Sequence, residues 1–423
     1  MARLAGPLAL AVAVLAGLAA AAGAAAGTRY LSGSPTAFPA WVAGPLAKLG
    51  APALAPEAFV ALLATMSVGY AVTLAAHRRL SLPVALWAVG AAHLAWALAP
   101  PIVTPDVFSY IAYARLGITH GLSPYVNPPA AIPGDPVLAF VSFRDLRDPY
   151  GPLFTLATYP LAPLGLPAAL WTLKGATAAA SLGCVALVAR AARARGLSPV
   201  LAALFVGLNP LLLVYGVGGA HNDSITMLLV LVGVLLAGAG RQAGAAGAVV
   251  AAAAVKVTGG LVLPFLVVGA SGRPGARRRA MAGALGAGAV VLAVWVTAFG
   301  ADALVGFART LGAQGRMVSE LSLPYLAGWL IGEGGAGPSA RLGGAVLFLA
   351  AAGWLLVRVA RGHDWVDAAG WGTIALLLST AWLMPYYVVW LLPLAALGSR
   401  RLAGATLALC LVVFVSRAAL LLL

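Results

Sequence analysis

The sequence predicts an all-α polytopic membrane protein, because its composition and its repeated apolar runs both suit a chain that crosses a bilayer many times. Of the 423 residues, 62% are hydrophobic and only 9% are charged, whereas soluble domains contain about 25% charged residues. A backbone that spans lipid must satisfy its own hydrogen bonds, so each crossing requires a helix of about 20 apolar residues. The composition excludes an ordinary soluble enzyme. The two cysteines, Cys184 and Cys410, both lie in apolar runs, which excludes a disulfide framework.

Apolar runs of the required length recur along the whole chain. We predict membrane helices over 4–26, 57–76, 82–103, 168–189, 199–217, 224–240, 281–299, 340–358, 366–384 and 402–423. The run 243–270 is interrupted by Lys256 and a Gly-Gly pair, so we interpret it as two half-helices whose turn points outward. The run 385–397 is short for a span and contains Pro393. With these runs included, the chain has roughly 11 to 13 transmembrane helices.

The first run shares features with a secretory signal. Arg3 precedes it, and small residues surround Ala24 near its end, as in a signal peptide. Its apolar stretch is long for a signal, so we expect a first helix that is retained.

The basic residues alternate between the two ends of the predicted helices. If the N-terminus is cytoplasmic, 15 of the 26 Lys and Arg residues lie on inward ends, with only Asp364 and Asp367 among the acids. Lys and Arg are retained on the cytoplasmic side, so most of the net charge of +15 faces inward, where it meets anionic lipid. We therefore predict a multi-pass protein of the plasma membrane. Membrane lipids explain the basic charge, and no nucleic-acid partner is expected.

Three longer polar segments fall on the outer face in this topology: 27–56, 104–152 and 300–338. No soluble domain is visible. We predict one transmembrane domain over 1–423 in which these loops cap the functional site, since long loops in a compact protein usually carry function.

The second of these segments opens on Thr104-Pro105-Asp106. Thr104 can cap a helix, Pro105 suits its first turn, and Asp106 benefits from the positive helix end. We predict a short helix that ends near Gly117 or Gly121 and lies along the membrane surface. Support of this helix start and a catalytic role explain Asp106 equally well.

Further along the same segment, charges of both signs are interleaved with aromatic residues, from Arg144, Asp145 and Arg147 to Tyr150. This mixture suits recognition of a polar, ring-shaped ligand. A solvated loop rich in turn-forming Pro and Gly explains much of the same pattern, although less so for Tyr150, which lies between a Pro and a Gly.

Three consecutive polar residues, His221, Asn222 and Asp223, lie at the outer edge of a predicted helix. Such residues are costly there unless they face water or have a function. Helix capping would explain Asp223 alone, so a functional role is favoured. Lys256, isolated in its apolar run, either snorkels to the interface or binds a lipid phosphate.

Other residues have simpler interpretations. Trp382 and Trp390 are expected to belong to an interfacial aromatic belt, and His93 is expected to pack inside its helix. No spacing of His, Asp and Glu predicts a metal site.

A series of short motifs resembles, in the same order, the actinobacterial polyprenyl-phosphomannose-dependent α-1,6-mannosyltransferases of the GT-C type. The motifs are DVFSY at 106–110, GLSPY at 121–125, PYGPL at 149–153, NPL at 209–211, GGAHND at 218–223, VKV at 255–257 and PYY at 385–387. The similarity extends over most of the chain from about the third helix onward, and the shared order is its specific part. It implies the GT-C glycosyltransferase fold with juxtamembrane helices on the outer face.

The resemblance implies a mannosyltransferase that uses a polyprenyl-phosphate-linked donor and a lipid-linked α-1,6-mannan acceptor at the extracytoplasmic face. A β-linked donor and an α-linked product require inversion, hence a single displacement with one general base. In this family type the first acidic residue of the first large outer loop takes that role, which implies Asp106. Polyprenyl phosphate is already a stable leaving group, so cationic groups suffice without a metal or other cofactor.

The resemblance also implies binding roles for other residues. The donor phosphate would contact Lys256 together with Arg144, Arg147 or Arg316. The sugar or the acceptor would contact Tyr110, Tyr150, His221, Asn222, Asp223 and Tyr387. The chain departs from the family pattern at Tyr386, since Trp-Tyr is frequent where this sequence has Tyr386-Tyr387.

Alternative functions are a transferase that uses a glucose or arabinose donor, a membrane transporter or lipid flippase, and a non-catalytic assembly partner. In a transporter, His221, Asp223 and Lys256 would serve as relay groups near the bilayer midplane, on paired broken helices. Here the ionisable residues gather at the outer edge, with one clear interruption. An assembly partner does not explain why the polar residues gather on one side.

Overall fold

A computed structural model describes residues 4–27, 39–102, 105–270 and 274–422, and this part of the chain is helical with no strand. The helices are α1 (Ala5–Ala25), α2 (Ala40–Ala43), α3 (Pro56–Ala75), α4 (Leu82–Leu98), α5 (Asp106–Ile118), α6 (Pro152–Thr158), α7 (Gly165–Ala194), α8 (Pro199–Gly207), α9 (Asp223–Gly238), α10 (Gln242–Val255), α11 (Val262–Gly269), α12 (Ala276–Phe299), α13 (Asp302–Gln314), α14 (Leu323–Leu330), α15 (Pro338–Ala360), α16 (Trp365–Ser379), α17 (Leu392–Leu397) and α18 (Arg400–Leu422). A π-helical turn covers Leu212–Gly218, and 3-10 turns include Val257–Leu261 and Pro385–Trp390.

Several of these helices can cross a bilayer, which confirms the predicted all-α multi-pass membrane protein. In the described residues, six are long and apolar enough: Ala5–Ala25, Pro56–Ala75, Pro152–Ala194, Ala276–Phe299, Pro338–Ala360 and Arg400–Leu422. The pair Pro199–Gly207 and Leu212–Gly218 forms a further span bent by 63°. Other apolar helices in the described residues are shorter: Leu82–Leu98, Asp223–Gly238, Gln242–Val255, Val257–Gly269 and Pro385–Leu397.

Two predicted spans end early. The helix predicted over 82–103 ends at Leu98, because Pro100 and Pro101 follow and proline cannot continue a helix. The helix predicted over 366–384 ends at Ser379. There the side chain of Thr380 bonds to the backbone of Trp382, a local bond that competes with the helix.

The helix predicted after Pro105 is present as α5 and ends at Ile118. Ten of its 13 residues are buried, and it packs against α6, α7 and the 3-10 turn Pro136–Phe140. Neighbouring protein therefore covers both faces of the helix. Thr104, the predicted cap, lies outside the described residues.

The half-helices predicted over 243–270 are confirmed. Helix α10 ends at Val255, Lys256 has extended backbone with φ −147°, and α11 begins at Val262. The end of α10 meets the start of α6 closely, since the Gly151 N–H donates to the Val255 carbonyl at 3.0 Å. Lys256 is thus presented at a break in the helix, next to the segment that carries Tyr150.

A second break lies between α8 and α9. The side chain of Asn209 accepts hydrogen bonds from the N–H groups of Leu211 and Leu212, which starts the bent second half of this span. After the π-helical turn, Ala220 has a φ of +56°, and the chain then enters α9. This turn carries His221 and Asp223.

Helices α10 and α12 pack so closely that Gly283 has no room for a side chain. A Cβ atom there would lie 2.2 Å from the Ala243 carbonyl oxygen, whereas at Gly286, one turn further along α12, it would meet nothing within 4 Å. We predict that Gly283→Ala lowers the melting temperature in detergent, with an overpacking cost of about 1–3 kcal/mol. Gly286→Ala, the matched control, should leave it unchanged or raise it slightly, since Ala favours helix. Equal melting temperatures for the two variants would contradict this packing.

Candidate active site

The carboxylate of Asp106 meets two residues that lie far away in sequence. Asp106 is the first residue of α5 and is 9% exposed. The hydroxyl of Tyr386 donates to its Oδ2 at 3.2 Å, and Nδ1 of His221 lies 3.7 Å from the same oxygen. The rings of His221 and Tyr386 are stacked, with centroids 3.5 Å apart. Three separate breaks in the helical structure therefore converge on one carboxylate.

The surroundings of Asp106 suit a proton acceptor. Burial raises the pKa of Asp106 to about 6, opposed by the positive charge of Lys256 and by the hydrogen bond from Tyr386. Burial, together with the charges of Lys256 and Lys174, lowers the pKa of His221 well below its usual value. Asp106 is thus a carboxyl group whose pKa lies near that of an effective general base.

A second buried carboxylate, Asp223, forms an ion pair with Lys256. Asp223 is the first residue of α9 and is fully buried. Its Oδ1 accepts a hydrogen bond from Nζ of Lys256 at 2.7 Å and another from the indole N–H of Trp390. A capping role alone does not explain these contacts.

Aromatic rings surround the ammonium group of Lys256. Nζ lies between 5.3 and 5.9 Å from the ring centroids of four side chains, Tyr150, Tyr386, Tyr387 and Trp390. At this distance each ring attracts the cation through its quadrupole. The rings and Asp223 together hold Lys256 in one place, with 13% of its side chain exposed.

One cavity opens onto both Asp106 and Lys256. Its other lining residues include Ser109, Tyr113, Tyr150, Gln314, Trp382, Tyr386, Tyr387 and Trp390. Of the predicted site residues, Asp106, Tyr150, Lys256 and Tyr387 therefore line this cavity. The larger cavities of the described chain lie elsewhere, beside Arg195, Arg358 and Arg241.

The other predicted site residues are placed behind or outside this cavity. Tyr110 supports the ring of Tyr150 edge-to-face, with centroids 4.9 Å apart. His221, Asn222 and Asp223 are buried behind the lining. In the described part of the chain, neither side-chain polar atom of Asn222 has a hydrogen-bond partner.

The three arginines proposed for the donor phosphate are absent from the lining of this cavity. Nε of Arg144 donates to the Val141 carbonyl, and Nε of Arg147 donates to the Val126 carbonyl at 2.7 Å. Each of the three follows or precedes a lining residue in sequence, namely Phe143, Leu146 and Met317.

The position of Tyr150 depends on Asp148, which the sequence did not single out. Asp148 is 1% exposed; its Oδ1 accepts from the Tyr150 N–H at 2.8 Å and its Oδ2 from the Thr155 hydroxyl at 2.7 Å. Burial raises the pKa of Asp148 to about 7. This carboxyl group ties the end of the loop to α6 and holds Tyr150 beside Lys256.

Trp390 was also missed, and its assignment to an interfacial belt is wrong. It is buried, it donates to Asp223, and its ring stacks on Tyr387 with centroids 4.2 Å apart. Trp390 lies four residues after Tyr386 and three after Tyr387 on one short helical segment, a spacing that brings its side chain close to each of theirs. That spacing was the available signal.

The sequence is similar to a known family of proteins. Residues 3–272 match the family described as Alpha-(1->6)-mannopyranosyltransferase, N-terminal domain, which covers more than half of the chain. The chain belongs to this family. The match to the mannopyranosyltransferase family includes Asp106, His221, Asp223 and Lys256, whereas Tyr386 and Trp390 lie beyond it.

Relatives in this family carry names of the same kind. The chain is 32% identical to Alpha-(1->6)-mannopyranosyltransferase A of Corynebacterium glutamicum over 40% of this chain and 35% of that protein. It is 28% identical to Alpha-(1->6)-mannopyranosyltransferase A of Mycobacterium tuberculosis over 74% of this chain and 64% of that protein. It is 29% identical to a probable alpha-(1->6)-mannopyranosyltransferase of Mycolicibacterium smegmatis over 75% of this chain and 66% of that protein. The chain thus spans less than two thirds of the length of these relatives, and no solved structure matches it.

The ion pair between Lys256 and Asp223 generates a prediction about stability. Lys256→Met leaves the buried carboxylate of Asp223 without its cation, which costs about 3–5 kcal/mol and should lower the melting temperature in detergent. The double variant Lys256→Met/Asp223→Asn carries no unpaired charge and should melt higher than Lys256→Met alone. A double variant that melts lower by the sum of the two single effects would show that the two side chains do not interact.

Proposed function

We propose that this chain transfers a mannosyl residue from a polyprenyl-phosphate-linked donor to a lipid-anchored α-1,6-mannan acceptor. The observation that carries the proposal is one cavity that both Asp106 and Lys256 line. Asp106 is a carboxyl group with a raised pKa, and Lys256 is a cation surrounded by aromatic rings. The names of the relatives as alpha-(1->6)-mannopyranosyltransferases support this choice of reaction. The whole of 1–423 acts as one transmembrane domain in this proposal, since residues on both sides of position 272 form the site.

In this mechanism Asp106 is the general base. It takes the proton from the acceptor hydroxyl as that oxygen attacks the anomeric carbon, and the bond from that carbon to the donor phosphate breaks in the same step. One displacement inverts a β-linked donor to an α-linked product and needs one base. The hydroxyl of Tyr386 and the ring of His221 hold the carboxyl group in position.

Lys256 stabilises the departing phosphate. An ammonium group has three N–H donors, and the ion pair with Asp223 uses one, so a phosphate oxygen can accept another from the cavity side. Polyprenyl phosphate leaves as a stable anion, and hydrogen bonds placed in advance at that anion lower the barrier without a metal. Arg316, Arg144 and Arg147 are proposed as further phosphate contacts at the edge of the site.

Aromatic residues bind the sugar or the acceptor in this proposal, and the turn before α9 supports them. Tyr150 and Tyr387 present their rings to the cavity, where they can pack on the apolar face of a pyranose. Tyr110, His221, Asn222 and Asp223 support this wall from behind.

The site is proposed to face outward from the plasma membrane. Asp223 begins α9 and Lys256 follows α10, while Arg241 joins the opposite ends of the same two helices. Arginine-rich ends remain in the cytoplasm, so the site lies at the extracytoplasmic ends of the helices. A lipid-linked donor and a lipid-anchored acceptor both reach it from the bilayer.

Asp106→Asn is expected to abolish mannosyl transfer, lowering kcat by about 10²–10⁴-fold, because the amide cannot accept the proton. Donor binding and the melting temperature should stay close to those of the wild type. The measurement is transfer from radiolabelled polyprenyl phosphates that carry mannose, glucose or arabinose to a short α-1,6-mannoside.

Asp145→Asn, in the exposed part of the same loop, is the matched control. Substantial transfer by Asp106→Asn would remove Asp106 from the base role, and a preference for glucose or arabinose would overturn the sugar assignment.

The pH dependence of transfer should follow the ionisation of Asp106. The base must be deprotonated, and its pKa is about 6, so kcat/KM should fall as the pH decreases through about 6 and level off above it. The initial rate of transfer, measured from about pH 5 to 8 at constant ionic strength, gives this profile. A rate that is flat across this range, or that rises as the pH falls, would contradict the assignment.

A further inference from the structure

Lys174 is a buried lysine in helix α7 that the proposed reaction does not use. Its side chain is fully buried, and Nζ donates to the carbonyl oxygen of Gly218 at 2.6 Å and to that of Trp96 at 3.3 Å. The ion pairs found among the described residues do not include it. A charge inside a membrane protein is costly and is kept where it has a function.

The carbonyl that Lys174 contacts belongs to the turn that leads into the site. Gly218 ends the π-helical turn, and its successors Gly219 and Ala220 connect it to His221. The last carbonyl groups of a helical segment lack partners within it and carry partial negative charge. An ammonium group is the natural complement, and hydrogen bonds from charged donors are the stronger ones.

This turn is strained. Ala220 is the one non-glycine residue in the described chain with a positive φ, at +56°, a conformation that disfavours an L-residue by a factor of about ten. A Cβ at Gly219 would lie 2.4 Å from the Tyr215 carbonyl oxygen. Strained backbone persists only where its surroundings hold it in place.

We propose that Lys174 is a positioning residue: its ammonium group binds the Gly218 carbonyl and so fixes the strained turn. This turn places His221 next to Asp106 and Asp223 next to Lys256. The link runs through backbone atoms, so Lys174 touches neither the cavity nor a substrate. Only the kinetic part of the test below rests on the proposed function.

The first experiment measures hydrogen exchange across residues 216–226 of the full chain in detergent, in Lys174→Met and in the wild type. Loss of the charged donor should speed exchange in this segment by roughly tenfold or more. The matched control is Thr177→Val, one turn along α7, where the buried hydroxyl bonds only to its own helix at Leu173; its exchange in 216–226 should equal that of the wild type.

Unchanged exchange in Lys174→Met, or equally faster exchange in Thr177→Val, would overturn the proposal. If Lys174→Met does not give a folded chain, Lys174→Gln takes its place with the same two outcomes, because an amide keeps a donor but lacks the charge.

The second experiment tests whether relief of the strain at Ala220 restores the activity lost in Lys174→Met. Glycine adopts a positive φ without steric cost, so Lys174→Met/Ala220→Gly should recover about fivefold of the kcat lost in Lys174→Met, with little change in KM. Ala220→Gly alone serves as its control and should keep wild-type kcat. If kcat does not recover, Lys174 does not act through this turn. If the wild type itself transfers no mannose, the proposed function fails, and hydrogen exchange still decides the role of Lys174.

Discussion

The burial of Asp106 and Asp223, the two carboxyl groups at the centre of the proposed site, is the constraint on which the site depends. Moving an ionised carboxylate out of water costs several kcal/mol unless it is paired and hydrogen-bonded. Asp223 meets this requirement through Lys256 and Trp390, and Asp106 accepts a hydrogen bond from Tyr386 beside the ring of His221. Because these partners come from distant parts of the chain, the helices that carry them must pack in one arrangement for either acid to be tolerated.

The charged side chains of the proposed site leave the backbone at breaks in the helical structure. Asp106 begins α5, Lys256 separates two half-helices, and Asp223 follows a bent span with a strained turn. In lipid, irregular backbone survives only where protein covers it or where it lines a cavity. The breaks therefore gather around one cavity, and the long unbroken helices α12, α15 and α18 remain free to face the bilayer.

The sequence was most informative where polar residues stand out against an apolar background. Lys256 and the run from His221 to Asp223 could be singled out because no ordinary membrane helix needs them, and the helix at Asp106 was visible from its start and stop signals. The roles assigned to them rest on the family resemblance and remain proposals. What could not be predicted depends on packing. The burial of α5 is decided by its neighbours rather than by its own pattern.

Residues whose type has a common structural explanation were missed, because their roles depend on packing. Trp390 resembles a belt tryptophan until the contact with Asp223 is known, and Asp148 resembles any loop acid until its bond to the Tyr150 N–H is seen. Lys174 was overlooked as a single charge in a long apolar run. The measurement that tests the central claim most directly is a structure of Asp106→Asn with an intact polyprenyl phosphomannose bound. The account predicts the phosphate at Lys256 and the anomeric carbon open to attack from the side of residue 106; a sugar phosphate bound at the arginine-rich ends of the helices, away from both residues, would contradict it.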